Sequence, residues 1–477
     1  METKGFAGLI TFRARTEGET RVYAPNNRRQ CLRSLSQTPG RGKAERGMKN
    51  RRPFGEPMAK VLSLDDVNVD GKTVLLRVDI NSPLDPATKT FLDVTRIRAI
   101  LPTLQKLSKA KVILLAHQSR PGLDDFTSTL GHARELGRLL GRQVKWVDDI
   151  HGEKAMKAIE ALEVGQLLML NNVRMDEEEV SVKGDMAAMA DTQLVQRLAS
   201  VADMYVNDAF ACAHRSTPSI VGFASLLPCV AGELMNNELS KLDQALESPK
   251  RPCLAVLGGV KVDDSIEVAE NMLRNGIADA LWPTGGVANL LLDLAGYDIG
   301  EGNRDFLKSQ IGTKWPATVR RARELIEDHG NKIHLPVDLA ANIEGNRVDL
   351  SIDDFPLDAP FHDLGLKSVV HLSTAIKQAG TVILNGPAGV FENNDFALGT
   401  VEMLNACAES SAFAVMGGGH TATLVTKRGL ASKMGHVSTG GGACLDYIAG
   451  RPLPGVVSLE QSAVAFGIDI KAGPRKA

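Results

Sequence analysis

Short apolar runs alternate with helical patterns along most of this 477-residue chain. The segments KTVLLRVD and KVILLAH are strand-like, and TRIRAILPTLQKLSKA lies between them. In this middle segment the apolar residues recur at helical spacing and form one apolar face: Ile97, Ile100, Leu101, Leu104 and Leu107. Strands without a polar face suit a parallel sheet that helices cover on both sides, so the three segments together predict a β-α-β unit.

The same rhythm returns at QLLMLNNVR and DMYVNDAF, and later at CLAVLGG, DALWPTGG, TVILNGPAG and SAFAVMGGG. Between these two groups, ELMNNELSKLDQALESPKRP has the pattern of a charged amphipathic helix. We therefore predict an α/β protein with two doubly wound, parallel-sheet (Rossmann-like) domains joined by this hinge helix. The expected domains are residues 58–235 and residues 236–477, the second including the hinge helix and the C-terminal segment.

Residues 1–57 differ from the rest of the chain. They are rich in Arg, Gly, Pro and Asn and show neither helical nor strand periodicity, which predicts a disordered extension. A mis-assigned start, with Met58 or Met48 as the true initiator, is our favoured interpretation of this segment. An Arg-rich organelle transit segment is the alternative.

Charge and composition narrow the classes of function. The formal net charge of −2 gives no overall attraction for nucleic acid or anionic lipid, and aromatic residues make up only 4% of the chain. No apolar run approaches the roughly 18 to 20 residues that a membrane span needs. Six scattered cysteines lack the spacing of a zinc site and are typical of buried residues in a reducing compartment, so we expect a cytoplasmic protein.

Charged side chains follow the apolar runs of the first half. In open α/β sheets ligands bind beyond the carboxyl ends of the strands, so these positions are candidates for a site. They are Arg77, Asp79, Asn81, His117, Arg120, Arg174, Asp208, His214 and Arg215. Several arginines at equivalent strand ends favour the capture of a small, multiply anionic ligand, because a guanidinium binds phosphate or carboxylate through two hydrogen bonds.

Glycines follow the apolar runs of the second half. They are Gly258 and Gly259, Gly285 and Gly286, Gly386 and Gly389, Gly417 to Gly419, and Gly440 to Gly442. Glycine lets backbone N–H groups approach a phosphate closely, and a helix N-terminus adds partial positive charge, so this half predicts a nucleotide site. Lys261, two residues after the first of these glycine pairs, is placed to reach a phosphoryl group in transfer.

Two other phosphate-binding patterns fit less well. Gly71-Lys72-Thr73 lacks the first glycine of a P-loop and is interpreted as a turn before a strand. The stretch GGGHTA satisfies the loose dinucleotide pattern G-x-G-x-x-G/A, but no acidic residue follows about 20 residues later to hold a ribose. An oxidoreductase that binds a dinucleotide remains the alternative, together with an anion-binding protein without catalytic activity.

Seven blocks resemble the phosphoglycerate kinase family in both order and spacing, over about residues 60–455. They are RVDINSPL, LAHQSRPG, VNDAFACAHR, LGGVKVDDS, LNGPAGVFE, GGGHTAT and HVSTGGGA. The residues of LAHQSRPG, GGVKVDDS and GGGH resemble the archaeal-type branch more than the bacterial and eukaryotic one. The resemblance implies reversible transfer of a phosphoryl group between ATP and 3-phosphoglycerate. It implies no nucleic acid, membrane or obligate protein partner.

The resemblance also implies residue roles. The phosphoglycerate site would comprise Asp79, Asn81, Arg96, His117, Arg120, Arg174 and Arg215. The nucleotide site would comprise Lys261, Glu392, Gly417, Gly418, Gly419 and His420. Arg96 and Lys261 are the expected catalytic residues, acting in a direct in-line transfer that needs closure of the two domains.

Two positions depart from the family pattern. Many relatives have Asp where His420 stands and a second lysine where Ser265 stands. Imidazole is a poor ligand for Mg²⁺, which prefers oxygen. We therefore expect the nucleotide phosphates and water to hold Mg²⁺, His420 to contact a phosphate, and the protein to supply no metal ligand of its own.

Overall fold

The computed structural model describes residues 61–356 and 359–466, except for the side chain of His420. The expected disordered extension, residues 1–57, lies outside the described residues. The described chain divides into two compact units. The first unit contains residues 61–244 with Ser438–Tyr447 and residues 451–466, and the second contains Ala245–Val437 with Ile448–Gly450.

The first unit has one six-stranded parallel sheet, in the order β3-β4-β2-β1-β5-β6. Its strands are β1 (Thr73–Val78), β2 (Lys111–Leu115), β3 (Lys145–Trp146), β4 (Leu167–Met169), β5 (Met204–Asp208) and β6 (Cys229–Ala231). Its helices are α1 (Thr95–Ala99), α2 (Leu101–Lys106), α3 (Leu130–Leu140), α4 (Glu153–Glu160), α5 (Glu177–Ser181), α6 (Met186–Ala190), α7 (Gln193–Ala199) and α8 (Pro218–Val221). Helix α9 (Glu233–Leu246) begins in this unit and ends in the second.

The helix expected between β1 and β2 forms as two short helices. Helix α1 ends at Ala99 and α2 begins at Leu101, with Pro102 in its first turn. Proline lacks the N–H group that would bond to the preceding turn, so it fits a helix start better than a helix interior. The apolar face survives this break, because Ile97, Ile100, Leu104 and Leu107 are fully buried and only Leu101 is partly exposed.

The second unit has two sheets. A five-stranded parallel sheet has the order β14-β13-β12-β7-β8, and a three-stranded antiparallel sheet has the order β10-β9-β11. The strands are β7 (Cys253–Leu257), β8 (Ala280–Pro283), β9 (Asp338–Ile343), β10 (Asn346–Ser351), β11 (Phe361–Leu364), β12 (Thr381–Asn385), β13 (Phe413–Gly417) and β14 (His436–Val437). The helices are α10 (Val262–Arg274), α11 (Gly285–Leu294), α12 (Glu301–Ile311), α13 (Trp315–His329), α14 (Leu366–Gln378), α15 (Leu398–Glu409) and α16 (Gly419–Lys427).

These two parallel sheets with alternating helices confirm the predicted α/β class. Every apolar run named above forms a buried parallel strand, and the Gly71 turn before β1 is confirmed by its φ of 74°. The antiparallel sheet was not predicted. Its middle strand β9 (DLAANI) contains polar residues, and its outer strand β10 (NRVDLS) has no buried residue, so neither strand has the apolar pattern of a parallel strand.

The chain ends with α17 (Gly442–Ile448) and α18 (Pro454–Ala465). Helix α18 packs on β6 of the first unit, where the Ser462 hydroxyl donates to the Leu227 carbonyl and accepts from the Cys229 N–H, both at 2.9 Å. The two compact units therefore divide the chain differently from the expectation. The sequence pattern predicts that the C-terminal segment and the hinge helix belong to the second domain, residues 236–477, whereas α18 and most of α9 belong to the first unit. Within the described residues, the helices are all too short or too polar to cross a membrane.

Candidate functional site

A polar cluster lies at the carboxyl ends of β1 and β2. Asp79 follows β1, is 4% exposed, and forms an ion pair with Arg96 of α1. Its other carboxylate oxygen accepts the Asn81 N–H at 3.1 Å. Asp79 therefore fixes both the turn after β1 and the direction of the partly exposed Arg96 guanidinium.

The loop after β2 is held against this turn. The Asn81 side-chain oxygen accepts the Ser119 N–H at 2.9 Å, and Arg174 donates to the Ser119 carbonyl. Ser119 has a φ of 57°, a left-handed conformation that is uncommon for a residue with a side chain. Arg174 comes from the turn after β4, so three neighbouring strand ends meet at Ser119.

His117 lies in the middle of the cluster and is 2% exposed. Its Nδ1 atom lies 3.3 Å from the Arg77 guanidinium and 4.0 Å from the Cys212 sulfur. Burial, reinforced by the nearby positive charges of Arg77 and Arg174, holds the pKa of His117 well below its ordinary value of 6.5. His117 is therefore neutral at pH 7, and it acts as a hydrogen-bonding group rather than as a cation.

Arg215 completes the cationic set. It follows β5 through a short 3₁₀ turn, is partly buried, and donates to His214 Nε2 at 3.4 Å. Burial lowers the pKa of Arg174, and the positive charge of Arg215 lowers it further. A guanidinium stays protonated despite such a shift, so the cluster keeps its positive charge.

Arg120 differs from the other expected members of this site. It belongs to the loop that carries His117 and Ser119, but its side chain is exposed. Within residues 61–356 and 359–466, no hydrogen bond or ion pair of the cluster involves Arg120. The structure thus brings Asp79, Asn81, Arg96, His117, Arg174 and Arg215 together and leaves Arg120 at their edge.

A buried network supports Arg77, and sequence reasoning missed two of its members. Arg77 donates to the Ser219 hydroxyl at 3.0 Å, and that hydroxyl donates to the Glu179 carboxylate at 2.7 Å. Glu179 also accepts the Ser219 N–H at 2.8 Å. In the sequence, Glu179 ends the run DEEE, which is typical of a solvated acidic surface, so only the fold of α5 indicates its burial.

Asp79, His117 and Cys212 bring three possible metal-ligating atoms within 4.8 Å of one another. The surroundings oppose a cation there, because four guanidinium groups contribute to the local potential at His117: Arg77, Arg96, Arg174 and Arg215. Burial also raises the pKa of the Cys212 thiol to about 11, so the thiol is protonated. The same charges favour an anion, as the sequence predicted for this edge of the sheet.

The glycine-rich strand ends of the second unit pack on one another. The Gly258 N–H donates to the Asn385 carbonyl, and the Gly259 N–H donates to the Pro387 carbonyl, both at 2.8 Å. A Cβ atom on Gly258 would lie 2.5 Å from the Pro387 carbonyl oxygen. Glycine is required here by the close approach of the loops after β7 and β12, which brings their backbones to one edge of the sheet.

The triple glycine forms the start of α16. Gly418 is the residue before the helix, with a φ of 90°, and a Cβ atom on Gly419 would meet nothing within 4 Å. The first N–H groups of a helix point toward open space with partial positive charge, which suits a phosphate. His420 follows in the helix, but its side chain lies outside the described residues.

Three buried polar atoms near these loops have no hydrogen-bond partner among the described atoms: Thr284 Oγ1, Asn385 Oδ1 and Thr421 Oγ1. Their residues are at most 5% exposed. Asn385 Oδ1 lies 3.1 Å from the position of a Cβ on Gly418, so it borders the triple glycine. Buried polar groups are nearly always paired, and this group of orphaned atoms indicates a place for a polar ligand.

Lys261 and Glu392 lie in exposed positions beside these loops. Lys261 is the residue before α10, two residues after Gly259, and Glu392 follows β12. Ser265, in the first turns of α10, is fully buried. Strands β13, β12 and β7 are neighbours in the sheet, so the expected nucleotide residues follow three adjacent strands.

Gly440 to Gly442, by contrast, belong to the first unit, where a Cβ on Gly442 would lie 3.7 Å from His214 Nε2.

The antiparallel sheet supports the loop that carries Glu392. The His362 carbonyl accepts the Val390 N–H at 2.8 Å. Arg347 binds the Asp363 carboxylate at 2.9 Å and the Asp395 carbonyl at 3.1 Å. Sequence reasoning missed these supports because β10 and β11 were not recognised as strands.

Comparison with known proteins gives a consistent result. The family model for phosphoglycerate kinase matches residues 64–451. The chain is 45% identical over 407 residues to a phosphoglycerate kinase of Methanothermus fervidus, covering 85% of this chain and 98% of that protein. It is 48% identical over 400 residues to one of Methanosarcina mazei, covering 84% and 95%.

Solved structures agree. The crystal structure of phosphoglycerate kinase from Pyrococcus horikoshii OT3 matches with a TM-score of 0.77 at 39% identity, covering 85% of this chain and all of that chain. The structure of phosphoglycerate kinase from Coxiella burnetii matches with a TM-score of 0.72 at 33% identity, covering 84% and 99%.

Proposed function

The chain belongs to the phosphoglycerate kinase family and has that family's kinase activity, and on this premise we propose how its residues perform the reaction. The reaction moves a phosphoryl group between ATP and 3-phosphoglycerate and gives ADP and 1,3-bisphosphoglycerate. It is a step of glycolysis and gluconeogenesis. We assign the acceptor to the first unit and the nucleotide to the second.

The observation that carries this assignment is the set of guanidinium groups around the buried, neutral His117. 3-Phosphoglycerate has a phosphate, a carboxylate and a hydroxyl, so it needs several cations together with neutral hydrogen-bonding groups. The proposed binding residues are Asp79, Asn81, Arg96, His117, Arg120, Arg174 and Arg215. Arg120 joins them as an exposed side chain that would contact the ligand when it binds.

We propose that the nucleotide phosphates bind at the start of α16. The open space at Gly419 and the orphaned Asn385 Oδ1 support this placement. Gly417, Gly418, Gly419 and His420 would form this phosphate loop, Glu392 would contact the ribose, and Lys261 would contact the phosphoryl group in transfer. The loops after β7, β12 and β13 supply these groups from neighbouring strands.

Mg²⁺ fits this site as part of the nucleotide. The described residues at the triple glycine offer a neutral amide oxygen and hydroxyl groups, and these oxygens are compatible with Mg²⁺ but too few to hold it alone. Bound with ATP, Mg²⁺ would neutralise phosphate charge. The protein's own part is to place the phosphates and to supply Lys261.

In the proposed mechanism a carboxylate oxygen of 3-phosphoglycerate forms a bond to the γ-phosphorus of ATP while the bond to the β-γ bridging oxygen breaks. The transition state has its charge on three equatorial oxygens, so catalysis depends on alignment and on cations. Arg96, directed by Asp79, would orient the acceptor carboxylate. Lys261 would stabilise the oxygens of the moving group.

The test is an assay with purified protein, ATP, Mg²⁺ and 3-phosphoglycerate, coupled to a dehydrogenase that reduces 1,3-bisphosphoglycerate with NADH. We expect NADH oxidation that requires ATP, 3-phosphoglycerate and the coupling enzyme. Oxidation without the coupling enzyme would indicate a dinucleotide oxidoreductase. Ligand binding without turnover would indicate an anion-binding protein.

We also propose a cytoplasmic location, which imaging of the tagged full chain would test.

A further inference from the structure

The Arg77 guanidinium is enclosed in the first unit and makes three defined contacts. Arg77 is 2% exposed, although it bears a charge. Its Nε–H donates to the Ser219 hydroxyl, its Nη1 group donates to the Val78 carbonyl at 2.5 Å, and its Nη2 group lies 3.3 Å from His117 Nδ1. A buried guanidinium requires a counter-charge, because desolvation strongly disfavours an unpaired ion.

Glu179 supplies that counter-charge through Ser219. The Ser219 hydroxyl accepts from Arg77, so its own hydrogen is directed to Glu179 Oε1 at 2.7 Å. The Ser219 N–H is directed to Glu179 Oε2 at 2.8 Å. Both carboxylate oxygens therefore accept, as an ionised carboxylate does.

Burial and charge act in opposite directions on Glu179. Burial is the largest influence and raises the pKa of Glu179 above its ordinary value, although the positive charge of Arg77 and the donors of Ser219 lower it in part. The Tyr205 hydroxyl donates to the Ser219 carbonyl at 2.8 Å and so fixes the backbone of the link between the two ions. Hydrogen bonds to both the side chain and the backbone of Ser219 thus fix the hydroxyl that bridges Arg77 and Glu179.

Arg77 also determines the tautomer of His117. A guanidinium has only donors, so the contact at 3.3 Å requires His117 Nδ1 to be the acceptor. The Cys212 thiol, 4.0 Å from the same nitrogen, is protonated and is also a donor. A neutral imidazole whose Nδ1 accepts must have its proton on Nε2, and no described residue accepts that proton.

We propose that Glu179 is a positioning residue for the acceptor substrate, because through Ser219 it fixes Arg77, which in turn holds His117 as a donor through Nε2–H. The substrate recognised by this donor is a small organic phosphate or carboxylate whose oxygen accepts the Nε2 proton. The identity of that substrate rests on the function proposed above. The tautomer of His117 does not.

The first test is the protonation pattern of His117 in the full-length protein without ligand. Long-range ¹H–¹⁵N correlation spectra of protein with ¹⁵N-labelled histidine distinguish the two ring nitrogens, and His117→Asn identifies the signals by their loss. We expect a single neutral form at pH 7 with the proton on Nε2. A proton on Nδ1, or on both nitrogens, would overturn the proposal whether or not the protein is active.

The second test uses Glu179→Gln and Ser219→Ala. An amide at position 179 removes the charge and turns one acceptor into a donor, and Ser219→Ala removes the bridging hydroxyl. We expect the Nδ1–H form of His117 to become detectable and KM for 3-phosphoglycerate to rise about tenfold, with KM for MgATP within about twofold of the native value. If Glu179 had a purely structural role, its replacement would not raise KM for 3-phosphoglycerate selectively over KM for MgATP, and it would not change the tautomer of His117.

Glu177→Gln is the matched control. It makes the same chemical change on the same helix, at an exposed position two residues away, and should leave the tautomer and both KM values unchanged. If Glu179→Gln fails to fold, the Ser219→Ala variant and the spectrum of the native protein still test the positioning role and the tautomer of His117. Folded variants with the native tautomer and native KM values would refute the positioning role. Failure of the native protein to phosphorylate 3-phosphoglycerate would instead refute the proposed function.

Discussion

The positive charge of the proposed phosphoglycerate site belongs to its arginines and not to its histidines. Burial is the main cause of the lowered pKa of both His117 and His214, and neighbouring guanidinium groups lower it further. Arginine keeps its proton in such surroundings. Substrate capture should therefore not depend on the protonation of histidine near neutral pH.

This distribution of charge predicts a specific pH dependence. A phosphate monoester gains its second negative charge near pH 6, while the arginines stay charged. KM for 3-phosphoglycerate should therefore fall or stay level as the pH rises from about 5.5 to about 7.5. Steady-state kinetics at saturating MgATP would measure this, and a rise in KM with a midpoint near pH 6.5 would show that a protonated histidine binds the substrate.

Lys261 is the other residue whose proposed role makes a sharp prediction. Its position before α10, beside Gly259, suits contact with oxygens that gain charge in the transition state. Lys261→Ala should lower kcat by about 10² to 10³ and change KM for MgATP much less. Exposed Lys367 in the same unit provides the control, since Lys367→Ala should leave kcat unchanged. A large rise in KM with native kcat would mean that Lys261 only binds the nucleotide.

Among the elements of the fold, α9 has an unusual N-terminus. Asp208, the last residue of β5, accepts the N–H groups of Leu234 and Met235 at 2.9 and 3.2 Å and the Thr103 hydroxyl at 2.6 Å. Gly232 is required beside it, because a Cβ there would lie 2.3 Å from Asp208 Oδ1. A buried carboxylate thus joins a strand of the proposed substrate site to the helix that leads out of the first unit.

Asp208 should make the stability of the first unit depend on pH. Burial raises the pKa of Asp208 from 3.8 to about 6, so ionisation is less favourable in the folded than in the unfolded chain. Its contribution to the free energy of unfolding is complete below about pH 4 and is lost as the pH rises through about 6. Relative to Asp208→Asn, the native protein should lose up to about 3 kcal/mol across that window.

The measurement needs a probe of the first unit alone. Trp146 belongs to that unit, and replacing Trp282 and Trp315 by Phe makes its fluorescence specific. Urea unfolding of this background with and without Asp208→Asn, at several pH values from 4 to 8, gives the difference. A difference that is constant with pH, or that grows in favour of the native protein as the pH rises, would contradict the prediction.

The sequence predicted elements well where one physical signal dominates. The predominantly apolar runs before Asp79, His117 and Gly258 form buried parallel strands, since helices cover both faces of such a sheet. The supports of the sites were not predictable in the same way. Glu179 stands in an acidic run and Asp363 in a strand without apolar periodicity, and each becomes informative only when the fold places it beside Arg77 or Arg347.

For the whole molecule, the two ligands should have separate footprints. The proposed residues for each substrate fall in different compact units, and each unit has its own parallel sheet with a polar or glycine-rich carboxyl edge. Hydrogen exchange of the full chain should show that 3-phosphoglycerate alone protects amides near Asn81, Ser119 and Arg174. MgADP alone should protect amides near Gly259 and Gly418. Protection of the first set by nucleotide alone would contradict the assignment.

Closure of the molecule stays a prediction that follows from the chemistry of transfer. In-line transfer needs the acceptor oxygen and the γ-phosphorus at about 3 to 3.5 Å, and the residues proposed for the two substrates are contributed by separate units. Energy from binding both substrates is therefore expected to stabilise an arrangement that excludes water from the reacting atoms. Small-angle scattering should give a smaller radius of gyration with MgADP and 3-phosphoglycerate together than with either alone. An unchanged radius, in protein shown to be saturated with both ligands, would mean that transfer does not depend on a ligand-driven movement of the units.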